Sequence, residues 1–251
     1  MNDDFILTTE NLSKTFGGFS AVSGVNLNVR RGHIHALIGP NGAGKTTCFN
    51  LLTKFLNPSA GRIIYDGRDI TRMKPADVAR LGLVRSFQIS AVFPHLSAIE
   101  NVRVALQRKR GDSFDFWRSK KILDTLNERV LELLADVGLA EFATSPAGEI
   151  SYGRKRALEI ATTLALDPVL LLLDEPMAGM GHEDIDRVAA LIRAVSRDRT
   201  ILMVEHNLKV VANLSDTITV LTRGLILAEG DYASVSSNAD VRQAYLGAGH
   251  G

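Results

Sequence analysis

The run Gly39–Thr46 constrains the fold of this chain more than any other feature of its sequence. It reads Gly-Pro-Asn-Gly-Ala-Gly-Lys-Thr and matches the pattern G-x-x-x-x-G-K-[ST] at every fixed position. An apolar run, Ile34–Ile38, precedes it, and a helical pattern, Lys45–Phe55, follows it. Glycines let successive backbone N–H groups curl around an anion, and the N-terminus of a helix adds its positive dipole end. The sequence therefore predicts a phosphate-binding loop between a strand and a helix of an α/β fold.

Two acidic residues extend this site towards a nucleoside triphosphate and its metal ion. The Lys45 side chain can reach the β- and γ-phosphates, and the Thr46 hydroxyl can ligate Mg²⁺. A second apolar run, Val169–Leu173, leads into Asp174 and Glu175. Because adjacent residues at the end of a strand point in different directions, we expect Asp174 to hold the metal and Glu175 to activate water as a general base.

A histidine after a further apolar run is the candidate for polarising the γ-phosphate. His206 follows Thr200–Glu205 directly, one predicted strand beyond Asp174 and Glu175. Phosphoryl transfer depends mainly on positioning and electrostatic stabilisation, so a polar side chain beside the γ-phosphate is expected. A lone histidine is more often structural, but its place after the acidic pair favours the catalytic interpretation.

Composition excludes several other classes of protein. The 251 residues include 29 Lys and Arg against 28 Asp and Glu, and this near-neutral balance argues against a general nucleic-acid binder. The single cysteine, Cys48, excludes an intrachain disulfide and a multi-cysteine metal site. The N-terminus lacks the pattern of a signal peptide, and the longest apolar run is far shorter than the ~20 residues that span a bilayer. We expect a protein that is soluble when isolated.

Apolar runs with few charges alternate with helical patterns over most of the chain, which is typical of a parallel sheet. The middle of the chain has a long helical pattern and almost no strand signal. We therefore predict an α/β core over residues 1–96 and 166–251 that carries a helical subdomain over residues 97–165. The predicted strands are Phe5–Thr9, Val25–Val29, Arg62–Tyr65, Ile34–Ile38, Leu83–Phe87, Val169–Leu173, Thr200–Val204 and Thr217–Leu221, and the apolar stripe of the middle is Leu123, Leu126, Val130, Leu133 and Val137.

In their order along the chain, these motifs resemble those of the ATP-binding cassette (ABC) ATPases. Besides the phosphate loop and Asp174-Glu175-Pro176, the chain has Gln88, the run Ile150–Arg154 and His206 at the places where that family has its motifs. A Ser-x-Gly signature before a helix separates this family from other phosphate-loop proteins, and no Asn-Lys-x-Asp guanine-reading motif is present. The resemblance implies a P-loop NTPase fold with a mostly parallel core sheet, an N-terminal antiparallel β subdomain and an inserted helical subdomain.

The resemblance also assigns roles to residues that would be anonymous alone. Phe16 resembles the aromatic residue that stacks on adenine, although a core role is its alternative. Gln88 resembles the glutamine that contacts Mg²⁺ and water. Ser151 and Gly153 resemble signature residues that contact the γ-phosphate bound to an opposite cassette, while a simple helix cap is the alternative for Ser151. The implied ligands of ATP in the loop are Gly39, Pro40, Asn41, Gly42, Ala43, Gly44, Lys45, Thr46 and Thr47.

Two stretches depart from the commonest family pattern. The signature has Tyr152 and Arg154 where Gly and Gln are usual, and Tyr-Gly at this site is found in one branch of the family. The loop 177–182 lacks the Leu-Asp or Leu-Asn that is usual where the signal crosses the dimer. The second departure lies in the loop to which the resemblance assigns the coupling between cassettes.

The branch that the chain resembles is that of the branched-chain, or hydrophobic, amino-acid importers. The features that favour it are Arg85-Ser86-Phe87-Gln88, Phe93–Ser97, Glu100-Asn101-Val102, the insertion around Ser113–Asp136, Glu159-Ile160-Ala161 and the tail Ala244-Tyr245-Leu246-Gly247. The nearest alternative is the lipopolysaccharide-export ATPase, whose middle is generally shorter. Two further alternatives are a soluble ABC ATPase that acts on DNA or ribosomes and a nucleotide sensor without hydrolysis.

The resemblance implies a peripheral protein on the cytoplasmic face of the membrane, with ATP and Mg²⁺ as cofactors. Its implied partners are integral-membrane permeases, a second cassette in a heterodimer, with a homodimer as the alternative, and indirectly a periplasmic or extracellular solute-binding protein. No nucleic-acid partner is expected. The basic run Arg108-Lys109-Arg110, with Phe116 and Trp117 after it, is interpreted as a solvated face rather than a membrane-binding surface.

Overall fold

The computed structural model describes residues 4–86, 92–110 and 126–247. These residues form two compact units, of which the first contains two β-sheets and the second consists mainly of helices. The predicted α/β class, with a mostly parallel sheet, an antiparallel sheet and helices inserted in the middle of the chain, is confirmed. The first unit is drawn from Met1–Leu83, Val169–Pro176 and Val195–Gly251, and the second from Val84–Pro168 and Met177–Ala194.

Most of the predicted site residues lie at or directly after the ends of strands in the larger sheet. Its strands are β4 (Ile34–Ile38), β7 (Leu83–Arg85), β8 (Leu170–Asp174), β9 (Thr200–Val204), β10 (Thr217–Thr222) and β11 (Leu225–Gly230), in the order β11-β10-β4-β9-β8-β7. The pairs β10–β4, β4–β9 and β8–β9 are parallel, and β11 is antiparallel to β10. Every residue of β4, β8 and β9 is buried, as expected for parallel strands covered on both faces.

The smaller sheet is antiparallel and contains a break that the sequence did not predict. Its strands are β1 (Phe5–Phe16), β2 (Phe19–Val25), β3 (Asn28–Arg30), β5 (Ala60–Tyr65) and β6 (Arg68–Asp69). The prediction of one strand over Val25–Val29 is wrong, because the chain leaves β2 at Val25 and enters β3 at Asn28. Asn26 makes the turn: its Oδ1 accepts from the Asn11 amide at 2.7 Å and its Nδ2 donates to the Gly24 carbonyl at 3.2 Å.

The helices of the described chain are short, and none is long and apolar enough to cross a membrane. The helix after the phosphate loop ends at Leu52 instead of the predicted Phe55, because Lys54 has a left-handed φ of 64°. The helices are α1 (Lys45–Leu52), α2 (Pro75–Arg80), α3 (Ala98–Arg110), α4 (Asn127–Asp136), α5 (Tyr152–Leu164), α6 (His182–Val195), α7 (Leu208–Leu214), α8 (Tyr232–Ser237) and α9 (Ala239–Gly247).

The second unit has a core of its own, formed by the apolar stripe of the middle region. Leu126, Val130, Leu133 and Val137 are buried, and Leu123 lies outside the described residues. Helix α3 begins with a capping box: the Glu100 carboxylate accepts from the Ser97 amide at 2.8 Å and from the Ser97 hydroxyl at 2.7 Å. The stripe is therefore the core of its own helical unit, as the pattern predicted.

A polar chain with a buried centre connects three strands of the larger sheet. The Thr219 hydroxyl donates to the Glu229 carboxylate at 2.6 Å, so its oxygen is left to accept from His35 Nε2 at 2.7 Å. His35 is 1% exposed and lies in the middle of the sheet. Burial, reinforced by the nearby His33, lowers the pKa of His35 to about 4. The histidine is therefore neutral in the folded protein at physiological pH, with its proton on Nε2.

We expect the neutral His35 to make the fold sensitive to acid. The unfolded chain binds a proton at the ordinary pKa of 6.5, whereas folded His35 stays neutral down to about 4. Between these values the unfolded state binds more protons, so stability is lost as pH falls from 6.5 towards 4, by about 3 kcal/mol at most. Urea unfolding at pH 7.5 and 4.5 should show a smaller loss in His35→Gln than in the wild type, while exposed His95→Gln should leave the loss unchanged. Equal losses in all three proteins would contradict this prediction.

Candidate functional site

The phosphate loop lies between β4 and α1, and two of its glycines are held against neighbouring backbone. A Cβ atom on Gly39, whose φ is 150°, would lie 2.1 Å from the Leu221 carbonyl oxygen. A Cβ atom on Gly44, whose φ is 103°, would lie 2.5 Å from the Ala21 carbonyl oxygen. Only glycine fits at these two positions, which explains why the loop approaches β2 and β10 so closely.

A turn outside the motif supports the loop from behind. The Gly224 amide, between β10 and β11, donates to the Ala43 carbonyl at 2.9 Å, and the Gly224 carbonyl accepts from the Ser23 amide at 2.8 Å. These bonds tie the loop to both sheets of the first unit. The loop is thus positioned by residues that the motif itself does not include.

Lys45 spans the phosphate loop and lies within electrostatic reach of the two predicted carboxylates. Its Nζ donates to the Gly39 carbonyl at 2.7 Å and to the Pro40 carbonyl at 3.0 Å. Burial lowers the pKa of Lys45, and the negative charges of Glu175 and Asp174 oppose that change. The structure therefore brings together the cation and the acidic pair that the sequence placed in one site.

The acidic pair stands at the carboxyl end of β8, where the backbone direction changes. Asp174 is the last residue of the strand and is 7% exposed. Glu175 is half-buried and has a left-handed φ of 46°, while its amide donates to the Val204 carbonyl at 2.9 Å. A non-glycine residue in this conformation is uncommon and is concentrated at functional sites. Because of this turn, the backbone at Glu175 departs from the extended conformation that Asp174 still has as the last residue of β8.

His206 follows β9, the neighbour of β8, and its loop is organised by a buried carboxylate. The side chain of His206 is 63% exposed, and its Nδ1 lies 3.6 Å from Glu205 Oε1. Glu205 is 1% exposed and accepts from the His206 amide at 2.9 Å and from the Asn207 amide at 3.1 Å. Sequence reasoning missed Glu205, although an acidic residue directly after an apolar run is a visible signal.

The oxygen ligands that would hold a metal ion are of the kind that Mg²⁺ prefers. Thr46 presents an exposed hydroxyl in the first turn of α1, and Thr47 follows it half-buried. Asp174 adds a carboxylate, and hydroxyl and carboxylate oxygens are hard ligands that suit Mg²⁺ when phosphate and water complete its coordination. No group of three or more His, Cys, Asp and Glu side chains suited to a metal occurs in the described part of the chain. The donor set therefore fits a metal that is shared with a phosphate ligand.

Phe16 is exposed at the end of β1, as a stacking residue has to be. It pairs with Phe19 across the β1–β2 hairpin, and the two rings are 45% and 68% exposed. The ammonium of Lys14 lies 5.1 Å from the centre of the Phe16 ring. Its exposure argues against the alternative that Phe16 is a core aromatic.

The signature residues lie at the N-terminus of α5, in the second unit. Ser151 is exposed at the cap position, yet its side chain makes no capping hydrogen bond. Gly153 is packed against α6, because a Cβ atom there would lie 2.4 Å from Asp184 Oδ1. A simple helix-cap role for Ser151 is therefore not supported, and a side chain at position 153 would require the Asp184 carboxylate to move.

The two unusual signature residues each have a structural partner in the second unit. The Tyr152 hydroxyl donates to the Ala178 carbonyl at 3.1 Å, which ties the signature to the loop 177–182. The Arg154 guanidinium lies 3.9 Å from the centre of the Phe142 ring, in a cation–π arrangement.

Gln88, Phe116 and Trp117 lie outside the described residues.

Comparison with known proteins gives two family matches over this chain. Residues 22–178 match the ABC transporter family, and residues 226–251 match the family described as branched-chain amino acid ATP-binding cassette transporter. The high-affinity branched-chain amino acid transport ATP-binding protein BraF of Pseudomonas aeruginosa is 40% identical, covering 96% of this chain and 98% of the relative. LivG of Escherichia coli K12, with the same description, is 37% identical, covering 96% and 98%.

Solved structures show the same architecture. One is the ADP conformation of MJ1267, an ATP-binding cassette of an ABC transporter, which is 29% identical in sequence and superposes with a TM-score of 0.84. The match covers 97% of this chain and 99% of that chain. A nucleotide-free ATP-binding cassette from an ABC transporter gives a TM-score of 0.83 at 29% identity, with 96% of this chain and 98% of that chain covered. The predicted P-loop NTPase fold, in the form that ATP-binding cassettes have, is confirmed.

Proposed function

The chain belongs to the ABC transporter family of ATP-hydrolysing proteins, and from this premise we propose that it powers the import of branched-chain or related amino acids. The observation that supports this substrate class is the match of residues 226–251 to a family named for branched-chain amino acid transport. The relative BraF, which has a similar description, matches over 96% of the chain. The substrate itself is selected elsewhere in such a transporter, so the chain supplies the energy and not the binding site for the amino acid.

In the proposed chemistry the residues of the first unit bind ATP and activate water. The loop from Gly39 to Thr47 holds the phosphates, with Lys45 as the cation of the β- and γ-phosphates. Mg²⁺, when bound by Thr46 and Asp174, neutralises phosphate charge, and Gln88 is proposed as a further ligand. Glu175 accepts the proton of the attacking water, because its turned backbone separates it from Asp174. His206 stabilises charge at the γ-phosphate, and Phe16 stacks on adenine.

The second unit is proposed to act on the nucleotide of another cassette. The Ser151 hydroxyl is exposed and makes no capping bond, so it remains available to a phosphate, and Gly153 lets the α5 N-terminus approach it. Two cassettes with ATP between them would close head to tail, and hydrolysis would reopen them. We propose a heterodimer bound to permease subunits at the cytoplasmic face of the membrane, served indirectly by an external solute-binding protein.

A lipopolysaccharide-type exporter is the second candidate for the transport function. It is less well supported because the relatives that cover the whole chain are described as amino-acid transport proteins. A soluble ABC ATPase acting on DNA or ribosomes is disfavoured by the net charge of +1. A sensor that does not hydrolyse ATP is disfavoured because the chain has both Glu175 and His206.

Purification of this chain from its native membranes in a gentle detergent, followed by mass spectrometry, tests the proposal. We expect a second, different cassette and two multi-span permeases, and we expect the purified complex to hydrolyse ATP faster in liposomes when its amino acid and binding protein are present. Permeases of an exporter would replace the amino-acid proposal by the lipopolysaccharide alternative. Ribosomes or DNA in place of membrane proteins would reject a transport function altogether.

A further inference from the structure

The C-terminal helix α9 lies against the phosphate loop, within the same compact unit. Its residues Asp240, Gln243 and Ala244 line a cavity of about 580 Å³ together with the loop residues Pro40, Asn41, Gly42 and Ala43. The remaining lining residues, among them Arg223, come from the end of β10, the following turn and β11. Spacings of three and four place the three residues of α9 on one face of the helix. The helix thus lies beside the first half of the loop, and a cavity remains between parts of the two.

Tyr245 lies on the adjoining face of α9 and reaches the first residue of the loop. Val241, one turn earlier, is 5% exposed, so this face of the helix packs into the protein. The Tyr245 hydroxyl oxygen is inaccessible to solvent and completes no hydrogen bond with the described residues. Burial raises the pKa of Tyr245 to about 12, and the backbone of Gly39 beside the hydroxyl opposes that rise. The hydroxyl therefore stays protonated and lies beside the Gly39 backbone, in a contact that does not meet the geometry of a hydrogen bond.

Gly39 is the residue through which a small movement would be transmitted to the site. Its carbonyl accepts the 2.7 Å bond from Lys45 Nζ. It lies close to β10, since a Cβ atom built on it would be 2.1 Å from the Leu221 carbonyl oxygen. A group that contacts Gly39 from the side of α9 therefore influences where the Lys45 ammonium is held.

We propose that Tyr245 is a positioning residue that supports Gly39 from α9 and thereby sets the affinity of the phosphate loop for nucleotide. The inference rests on the proposed binding of ATP by this loop and goes beyond it by giving the C-terminal segment a part in that binding. The cavity beside the loop leaves α9 room to approach, so that the unpaired hydroxyl accepts from the Gly39 amide when the loop holds a phosphate. A buried hydroxyl without a partner is unfavourable unless such a bond is available to it.

The test compares Tyr245→Phe with Tyr232→Phe in the full-length chain. Tyr232 begins α8, is 42% exposed, and provides the same chemical change in the same C-terminal segment. Calorimetric titration with a non-hydrolysable ATP analogue and Mg²⁺ should give a Kd about fivefold higher for Tyr245→Phe than for the wild type, as expected for the loss of one hydrogen bond. Tyr232→Phe should bind like the wild type.

Thermal unfolding distinguishes a positioning role from a merely structural one. Without nucleotide, Tyr245→Phe should unfold at or slightly above the wild-type Tm, because it removes a buried hydroxyl that has no partner among the described residues, while the rise in Tm caused by the analogue should be smaller. An unchanged Kd in Tyr245→Phe, or an equal drop in Tm with and without analogue, would overturn the inference and leave the proposed function intact. Failure of the wild type to bind the analogue would instead reject the proposed function, and the inference with it.

Discussion

Glu175→Gln is expected to lower ATP turnover by about 100- to 10,000-fold while nucleotide binding is retained, as is typical for the loss of a general base. The amide has nearly the shape of the carboxylate but cannot accept the proton of the attacking water. The left-handed backbone of Glu175 and its bond to the Val204 carbonyl do not depend on the side chain, so the substitution should leave the loop in place. With hydrolysis blocked and ATP bound, the closed pair of cassettes should accumulate.

The measurement is phosphate release by the complete transporter, alongside size-exclusion chromatography of the cassettes with ATP. Glu183→Gln is the matched control, because Glu183 is an exposed glutamate in the first turn of α6, a few residues further along the chain. It should preserve turnover and should not trap a dimer. Wild-type turnover in Glu175→Gln would assign the general base to another residue.

The parts of the site that are local in sequence could be predicted from it. The phosphate loop was recognisable because its glycines, lysine and threonine act at fixed spacing between a strand and a helix. The carboxylates at the end of β8 were recognisable because an apolar run ended in two charges. Each of these signals lies within a few neighbouring residues, so no knowledge of the tertiary structure was required to read it.

The parts that depend on contacts between distant segments could not be predicted in the same way. Nothing in the pattern around Gly153 indicates that the Asp184 carboxylate packs against it, and nothing around Gly39 indicates that Tyr245 lies beside it. The break at Asn26 was missed for a related reason, since it depends on a bond to Asn11 in another strand. Apolar runs predict which segments form strands, whereas side-chain bonds between strands decide where those strands end.

Two glycines of the phosphate loop are needed for different reasons, one because a side chain would clash and the other because of its backbone conformation. Substituting each of them separates the two effects. Gly39 and Gly42 both have positive φ, of 150° and 76°. A Cβ atom on Gly39 would overlap the Leu221 carbonyl oxygen at 2.1 Å, whereas one on Gly42 would meet nothing within 4 Å. Gly39→Ala must therefore displace β10 or the loop, while Gly42→Ala carries only the cost of a left-handed residue, about 1–2 kcal/mol.

We expect Gly39→Ala to lose about 2–5 kcal/mol of unfolding free energy, since overpacking adds about 1–3 kcal/mol to a backbone cost of about 1–2 kcal/mol. It should also weaken nucleotide binding by about 100-fold or more, because a shift of about 1 Å moves the Gly39 carbonyl that holds Lys45 Nζ. Gly42→Ala should lose less stability than Gly39→Ala, and urea unfolding with calorimetric titration of both variants measures the difference. If the two variants were equally stable, the close packing of Gly39 against β10 would not constrain the loop, and the position of Lys45 would have to be set by other contacts.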